Sequence, residues 1–419
     1  MNYYPDQPIL GNTTSPDMLN RKGFAKKIGK SILLESDSPG LVLSLEGPWG
    51  YGKTSVFNLI KKYLLSLDKA APLIVNFNPW MIGTAETLVQ EFLIQFASAI
   101  GLSDKIKKVK DTAKQVLAYS NIFSPIRLIP GAEPWASLIK GVLQSVGQSA
   151  EEIGDVRELN IESKRNKVIE ALKKIDKPII VFIDDLDRLP PSEVFQMVRL
   201  VKAIADFPKV AFLLAFDPQH IEDSLRNHGI SDAKLYLDKI VQVRLHLPLI
   251  DPDDLIALTE QELTKLGIDQ LTGIFPDDAD RFGEFYHFAI KHLISTPRDL
   301  YRILNRIRQY VGVNEKEVAF SDFFALETIA IAAPEVYDHI RSNPGAYTGH
   351  SQDEYPYDLE KPEERVAKSS DERNAVIGRV ASGKIIYIKE LLSKLFPLIK
   401  GINIGQRYSR SSGHVAFPD

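Results

Sequence analysis

The 419 residues exceed what one hydrophobic core usually organises, and 44% hydrophobic with 25% charged residues is the composition of a folded globular chain of two or three domains. A formal net charge of −4 offers no basic field to a nucleic-acid backbone, and the absence of cysteine excludes disulfides, thiolate nucleophiles and cysteine-bound zinc while fitting a reducing cytosol. The opening MNYYPDQPILGNTTSPD lacks the basic-then-apolar order of a signal peptide, and no run of 18 uncharged apolar residues occurs, so a transmembrane helix is not predicted.

In chain order, the first apolar run is LVLSLEG (Leu41–Gly47). It leads into GPWGYGKT (Gly47–Thr54), which fits GxxxxGK followed by Ser or Thr, and then into the helical pattern SVFNLIKKYLLSL. A strand, a glycine-rich loop and a helix in this order form a phosphate cradle. Gly47, Gly50 and Gly52 let backbone N–H groups curl around phosphate oxygens, with Pro48, Trp49, Tyr51 and Ser55 completing the loop and the first helical turn. Lys53 is expected to reach the β- and γ-phosphates, Thr54 to ligate Mg²⁺, and the helix N-terminus to add its partial positive charge. The plain alternative is a glycine-rich turn closing a core strand.

A second run, LIVNFNP (Leu73–Pro79), precedes a long stretch, mostly helical by pattern, that a minimal nucleotide-binding domain does not need; we read about 82–175 as an insertion. Within it, Gln115–Ala150 holds only three charged residues, Arg127, Glu133 and Lys140. Pro125, Pro130, Gly131 and Pro134 interrupt it, and Trp135 sits among Leu138, Ile139, Val142 and Leu143 at helical spacing. Two readings stand: a helical hairpin packed on the domain, or a patch for a membrane surface or a partner. The segment is too broken to span a bilayer.

The third run, IIVFIDD (Ile179–Asp185), delivers its acids at a strand's C-terminal edge, where open α/β sheets bind ligands. Asp184 is the expected Mg²⁺-holding acid of the Walker B type, and Asp185 the general-base candidate that orients attacking water, its short side chain suggesting slow turnover. Asp187 and Arg188 either act in the site or form a local pair capping the helix that starts near Ser192. The fourth run, VAFLLAFD (Val210–Asp217), ends in Asp217, which is either a sensor of hydrolysis or an ordinary helix start before Pro218. With VQVRLHLP (Val241–Pro248) there are five runs with little alternation, as expected for a parallel sheet buried on both faces.

From Asp251 to about Arg341 helices dominate. The helix starting near Pro297 places Leu300, Ile303, Leu304, Ile307 and Tyr310 on one face, while Arg298, Arg302 and Arg306 recur at fourfold spacing, on a face whose plain reading is solvated charge or pairing with nearby acids. Asn343–Arg373 is polar and looks like a loop or linker, Lys384–Leu398 is helical, and the ending GHVAFPD suggests a fragment or truncated product. The eight histidines include no pair at ligand spacing on one helix, and the acid runs Asp251–Asp254 and Asp277–Asp280 are expected to be helix starts and surface.

Together these motifs resemble the KAP family of P-loop NTPases over most of the chain. GPWGYGKT is similar to the family's GxWGxGK loop, NFNPW (Asn76–Trp80) to its FNxW, IDDLDR (Ile183–Arg188) to its Walker B form, and YLDKIVQVRLHLP (Tyr236–Pro248) to its YLxKIIQ segment. DQPI (Asp6–Ile9) and DMLNRKGFA (Asp17–Ala25) resemble the family's opening, expected beside the nucleotide base, and TPRDLYRILNRI (Thr296–Ile307) its helical-domain motif. The resemblance implies an ASCE-class α/β fold close to signalling ATPases: a central five-stranded parallel sheet, a helical insertion between Walker A and Walker B, and a C-terminal helical domain. The expected regions are 1–250 for the NTPase domain, 251–341 for a helical lid, and 342–419 for a linker and terminal helical segment.

The resemblance also implies ATP rather than GTP, and Arg298 as a γ-phosphate sensor; Asp217 and Arg188, by their places after the fourth and third strands, are further sensor candidates. The expected activity is Mg²⁺-dependent ATP binding and slow hydrolysis used as a conformational switch in signalling or phage defence. The alternatives are a nucleotide-binding scaffold with negligible turnover, peripheral to a membrane, and, less supported by charge, a nucleic-acid-acting ATPase. The setting is expected to be cytoplasmic, at the inner face of a membrane where residues 115–150 meet lipid, with a protein partner or a second copy of the chain.

Overall fold

The computed structural model describes residues 7–12, 15–35, 38–81, 85–103, 107–120, 161–310, 316–349, 361–402 and 414–415. The chain forms two compact units, Pro8–Leu249 and a second one running from Ile250.

In the first unit, five apolar runs become β1 (Leu41–Glu46), β2 (Leu73–Phe77), β3 (Ile179–Ile183), β4 (Val210–Phe216) and β5 (Val243–His246). All pairings are parallel, in the order β2-β3-β4-β1-β5. Helices α1 (Lys22–Ser31), α2 (Lys53–Leu65), α3 (Ala85–Ser103), α4 (Lys107–Ser120), α5 (Ile161–Lys173), α6 (Pro191–Ile204), α7 (Pro218–Asn227) and α8 (Ala233–Asp238) accompany the sheet. Successive strand residues point to opposite faces, and both faces are covered. Val75, Val181, Phe212 and Leu214 join the core with α3 to α7, whereas Leu43, Leu45, Phe182 and Leu213 pack with α1 and α2. This explains why β3 and β4 show no polar alternation and are buried at every position.

The insertion is helical in its described parts, α3 to α5, and Phe92 of α3 meets Phe77 of β2 edge-to-face at 5.1 Å. Within the apolar stretch 115–150, residues 115–120 belong to α4 and 121–150 lie outside the described residues, so the choice between hairpin and surface patch falls there too. Among the described residues no helix is long and apolar enough to cross a membrane.

The second unit is helical: α9 (Pro252–Leu266), α10 (Asp278–Phe285), α11 (Pro297–Tyr310), α12 (Phe320–Ala332), α13 (Pro334–Ser342), α14 (Pro362–Lys368), α15 (Ser370–Ile377) and α16 (Ser382–Leu395). Leu300, Ile303, Leu304, Ile307 and Tyr310 of α11 are all buried, as their spacing predicts. Asp251 caps α9 by accepting the Asp253 N–H at 2.9 Å. Asp278, expected at the surface, is instead buried, because its carboxylate accepts the Phe320 and Ser321 N–H groups at the start of α12. The stretch 343–373, read as a loop, contains a short helical turn at Gly345–Thr348, all of α14 and the start of α15. It is polar because α14 buries Val366 alone, and acids in its first turn and bases in its last suit the helix dipole.

Candidate functional site

The site lies at the C-terminal edge of the sheet. Because β4 stands between β1 and β3, the glycine loop after β1 and the acids after β3 are held a fixed two strands apart. The Gly47 N–H continues the ladder to the Phe216 carbonyl at 3.3 Å, and the Asp184 N–H does the same to Phe77 at 3.2 Å. Gly50 and Gly52 have φ of 86° and 87°, left-handed conformations that a side chain resists, so these two glycines are required by the turn. A Cβ at Gly52 would also meet the Arg21 guanidinium at 3.0 Å.

Lys53 opens α2 and folds back over the loop, donating to the Gly47 carbonyl at 2.9 Å and the Pro48 carbonyl at 3.4 Å and pairing with Asp187 at 3.1 Å. Asp187 in turn accepts the Asp217 N–H at 3.0 Å. The two residues weighed as a cap, Asp187 and Arg188, therefore separate. Asp187 takes the loop lysine and Arg188 pairs with Asp185, while α6 begins at Pro191 with no side-chain cap. Asp217 caps α7 by accepting the Gln219 N–H at 3.1 Å.

Burial pushes the Asp184 carboxyl above its ordinary range, and the Asp185 charge adds to this; the Thr54 hydroxyl, the Asp185 N–H at 2.9 Å and the Lys61 charge oppose it. Lys61 is itself driven down by burial, with its amine 4.8 Å from the centre of the Phe182 ring. A hydroxyl and a desolvated carboxylate in mutual contact are hard oxygen donors, and Mg²⁺ characteristically uses one or two such protein ligands with phosphates and water supplying the rest. Thr54 and Asp184 fit that ion. Among the described residues no cluster of three or more acids or histidines suits a metal held by protein alone.

Asp185 adopts φ 57°, unusual for a residue with a side chain and commonest for Asp and Asn. Its Oδ2 accepts from Asn78 Nδ2 at 3.0 Å, and its Oδ1 forms an ion pair with Arg188 Nε at 2.8 Å. Asn78 is oriented by its own turn, its Oδ1 accepting the Trp80 N–H at 3.1 Å. The Arg188 guanidinium lies over the Trp49 ring, 5.9 Å from its centre.

Asn78 and Arg21 lie in stretches that the resemblance places near the site without marking either residue. Asn78 was quoted only within NFNPW, although an Asn-Pro-Trp step directly after a strand is a turn signal that could have marked it. Arg21, nearly fully buried, donates to the Tyr51 carbonyl in the loop and to the Pro248 carbonyl beyond β5 at 3.2 Å. No local pattern announces that contact. Nearby, the Ile9 N–H reaches the Ser55 hydroxyl at 3.2 Å and Asn58 returns to the Ile9 carbonyl at 3.0 Å, tying the N-terminal stretch to α2. Arg298 belongs to α11 in the second unit.

A family model described as the KAP family P-loop domain matches residues 21–312. Over 345 residues the chain is 30% identical to the phage T7 exclusion protein of Escherichia coli (strain K12), an alignment covering 76% of this chain and 45% of that protein. The chain thus spans less than half the length of the curated relative it matches. Among solved structures, the Aeropyrum pernix ORC2 protein in its ADP form matches at 13% identity and a TM-score of 0.38, over 94% of this chain and 88% of that one. The ORC1 protein of the same organism, solved in complex with DNA, matches at 12% identity and a TM-score of 0.35, over 91% and 94%.

Proposed function

The chain belongs to the KAP family of P-loop NTPases, and we propose that it binds ATP with Mg²⁺ and hydrolyses it slowly, as a conformational switch in signalling or phage defence. The observation that carries this reading is the gathering of Lys53, the Thr54–Asp184 oxygen pair and Asp185 at one sheet edge. In this reading the loop N–H groups and Lys53 hold the phosphates, and Asp185 accepts a proton from the attacking water. Mg²⁺ between Thr54 and Asp184 would neutralise phosphate charge. Arg298 on the lid region 251–341 and Asp217 after β4 are the proposed sensors that tie nucleotide state to the lid.

The defence role is supported by the likeness to a phage T7 exclusion protein. A scaffold with negligible turnover is the second reading, favoured by one observation: both Asp185 oxygens are engaged, by Asn78 and Arg188.

Phosphate release by the purified protein beside a Lys53→Ala variant is the test. Equal turnover in both would sink the enzyme reading, and tight nucleotide binding without release would select the scaffold. Asp185→Asn should bind nucleotide and not hydrolyse it; normal hydrolysis would move the base elsewhere. Phage T7 plating on bacteria expressing the chain or its Lys53→Ala variant tests the defence role, with identical plating counting against it.

A further inference from the structure

Arg188 stands between a carboxylate and an aromatic ring. Its Nε pairs with Asp185 at 2.8 Å, across the single turn Leu186–Arg188, and its guanidinium carbon lies over Trp49, a residue of the phosphate loop itself, 5.9 Å from the ring centre. Trp49 is 64% exposed, so its ring is not there to fill a core. An aromatic face under a guanidinium fixes the orientation of a planar, five-donor group, and such a group suits phosphate oxygens at least as well as a carboxylate. The Nε contact to Asp185 uses only one of those donors.

We infer that Arg188 is a positioning residue that exchanges Asp185 for the terminal phosphate of a bound triphosphate, with Trp49 holding the guanidinium within reach of both. The γ-phosphate of a triphosphate carries more charge and more acceptor oxygens than one carboxylate, so it wins the guanidinium; a diphosphate also ends in a phosphate, but its chain is one phosphate shorter and stops before that position. Departure of Arg188 leaves Asp185 Oδ1 open to accept a proton from water, while Asn78 keeps the carboxylate oriented through Oδ2. The same exchange tells triphosphate from diphosphate. It rests on the reading of Asp185 as the base, but its signature lies in binding.

The test is the dissociation constant of ADP and of a non-hydrolysable ATP analogue, both with Mg²⁺, for wild type, Arg188→Ala, Arg188→Lys, Asp185→Asn and the Arg188→Ala/Asp185→Asn double variant. Arg188→Ala should weaken the analogue about tenfold and ADP less than about twofold, with Arg188→Lys intermediate. Asp185→Asn, which releases Arg188 in advance, should tighten the analogue and not ADP, and the double variant should lose that gain. In a Trp80→Phe/Trp135→Phe background, Trp49 emission should respond to the analogue and not to ADP. An analogue-to-ADP ratio unchanged in both Arg188→Ala and Asp185→Asn overturns the exchange, as does equal weakening of both ligands. Missing turnover with these ratios intact sinks the hydrolysis reading alone.

Discussion

Lys53 of the phosphate loop and Asp187 of the acidic turn lie 3.1 Å apart, with side chains only 9% and 8% exposed. Removing one member of a buried pair strands the other charge, at a cost of about 3–5 kcal/mol. Lys53 keeps its two loop carbonyls, so the lower end applies. Asp187→Ala is expected to lower stability by about 3 kcal/mol in urea without nucleotide. Phosphate would then supply the missing counter-charge, so ADP should raise the unfolding midpoint more in the variant than in wild type. Equal shifts would show that Lys53 does not meet phosphate.

At the root of the loop, Glu46 is fully buried and held by Arg244, with Nε at 2.7 Å from one oxygen and Nη2 at 3.1 Å from the other, and by the Ser44 hydroxyl at 2.6 Å. Arg244→Ala leaves that carboxylate with little compensation and should cost about 3 kcal/mol. Glu46→Gln keeps the shape and one acceptor, and about 1 kcal/mol is expected. Urea unfolding of both variants ranks them; a larger loss from Glu46→Gln would contradict the charge argument.

Asp322 provides a pH dependence of known sign. It is fully buried, and burial drives its carboxyl up from 3.8 to about 6 even though Arg281 and the Val415 N–H hold it down; Asp278 pushes the same way as burial, and the His414 ring lies 3.7 Å away. A carboxyl whose folded value is raised binds its proton more tightly folded than unfolded. Its contribution is therefore greatest below pH 4 and is lost as pH rises to about 6, by about 3 kcal/mol. The difference in stability between wild type and Asp322→Asn should fall across pH 4 to 6 and level above it. A flat difference would show that Asp322 is ionised throughout.

In TPRD, Thr296 caps α11: its hydroxyl accepts the Asp299 N–H at 3.1 Å, and Asp299 returns to the Ser295 N–H at 3.3 Å. Thr296→Ala should cost about 1 kcal/mol. Leu304→Ala, which empties a fully buried position, should cost about 3 kcal/mol. Arg298→Ala is expected to reduce turnover about tenfold. Unchanged turnover would remove Arg298 from the sensors.

The sequence by itself determined what depends on near neighbours along the chain. The five strands are legible because both faces of a parallel sheet are covered, the glycine loop because only glycine accepts φ near 86°, and α11 because a one-sided apolar stripe has a single burial solution. Asp184 was legible for the same reason, as the first acid past an all-apolar run. What only the tertiary structure decided is which charges meet. Lys53 takes Asp187, Asn78 reaches Asp185, Arg188 lies over Trp49, and Arg21 bridges Tyr51 to Pro248. Lys53 meets Asp187 because β4 stands between β1 and β3, Asn78 meets Asp185 because β2 lies beside β3, and Arg21 reaches Pro248 because β5 lies beside β1; such contacts leave no periodic trace in sequence because attraction depends on distance in space, not on spacing along the chain.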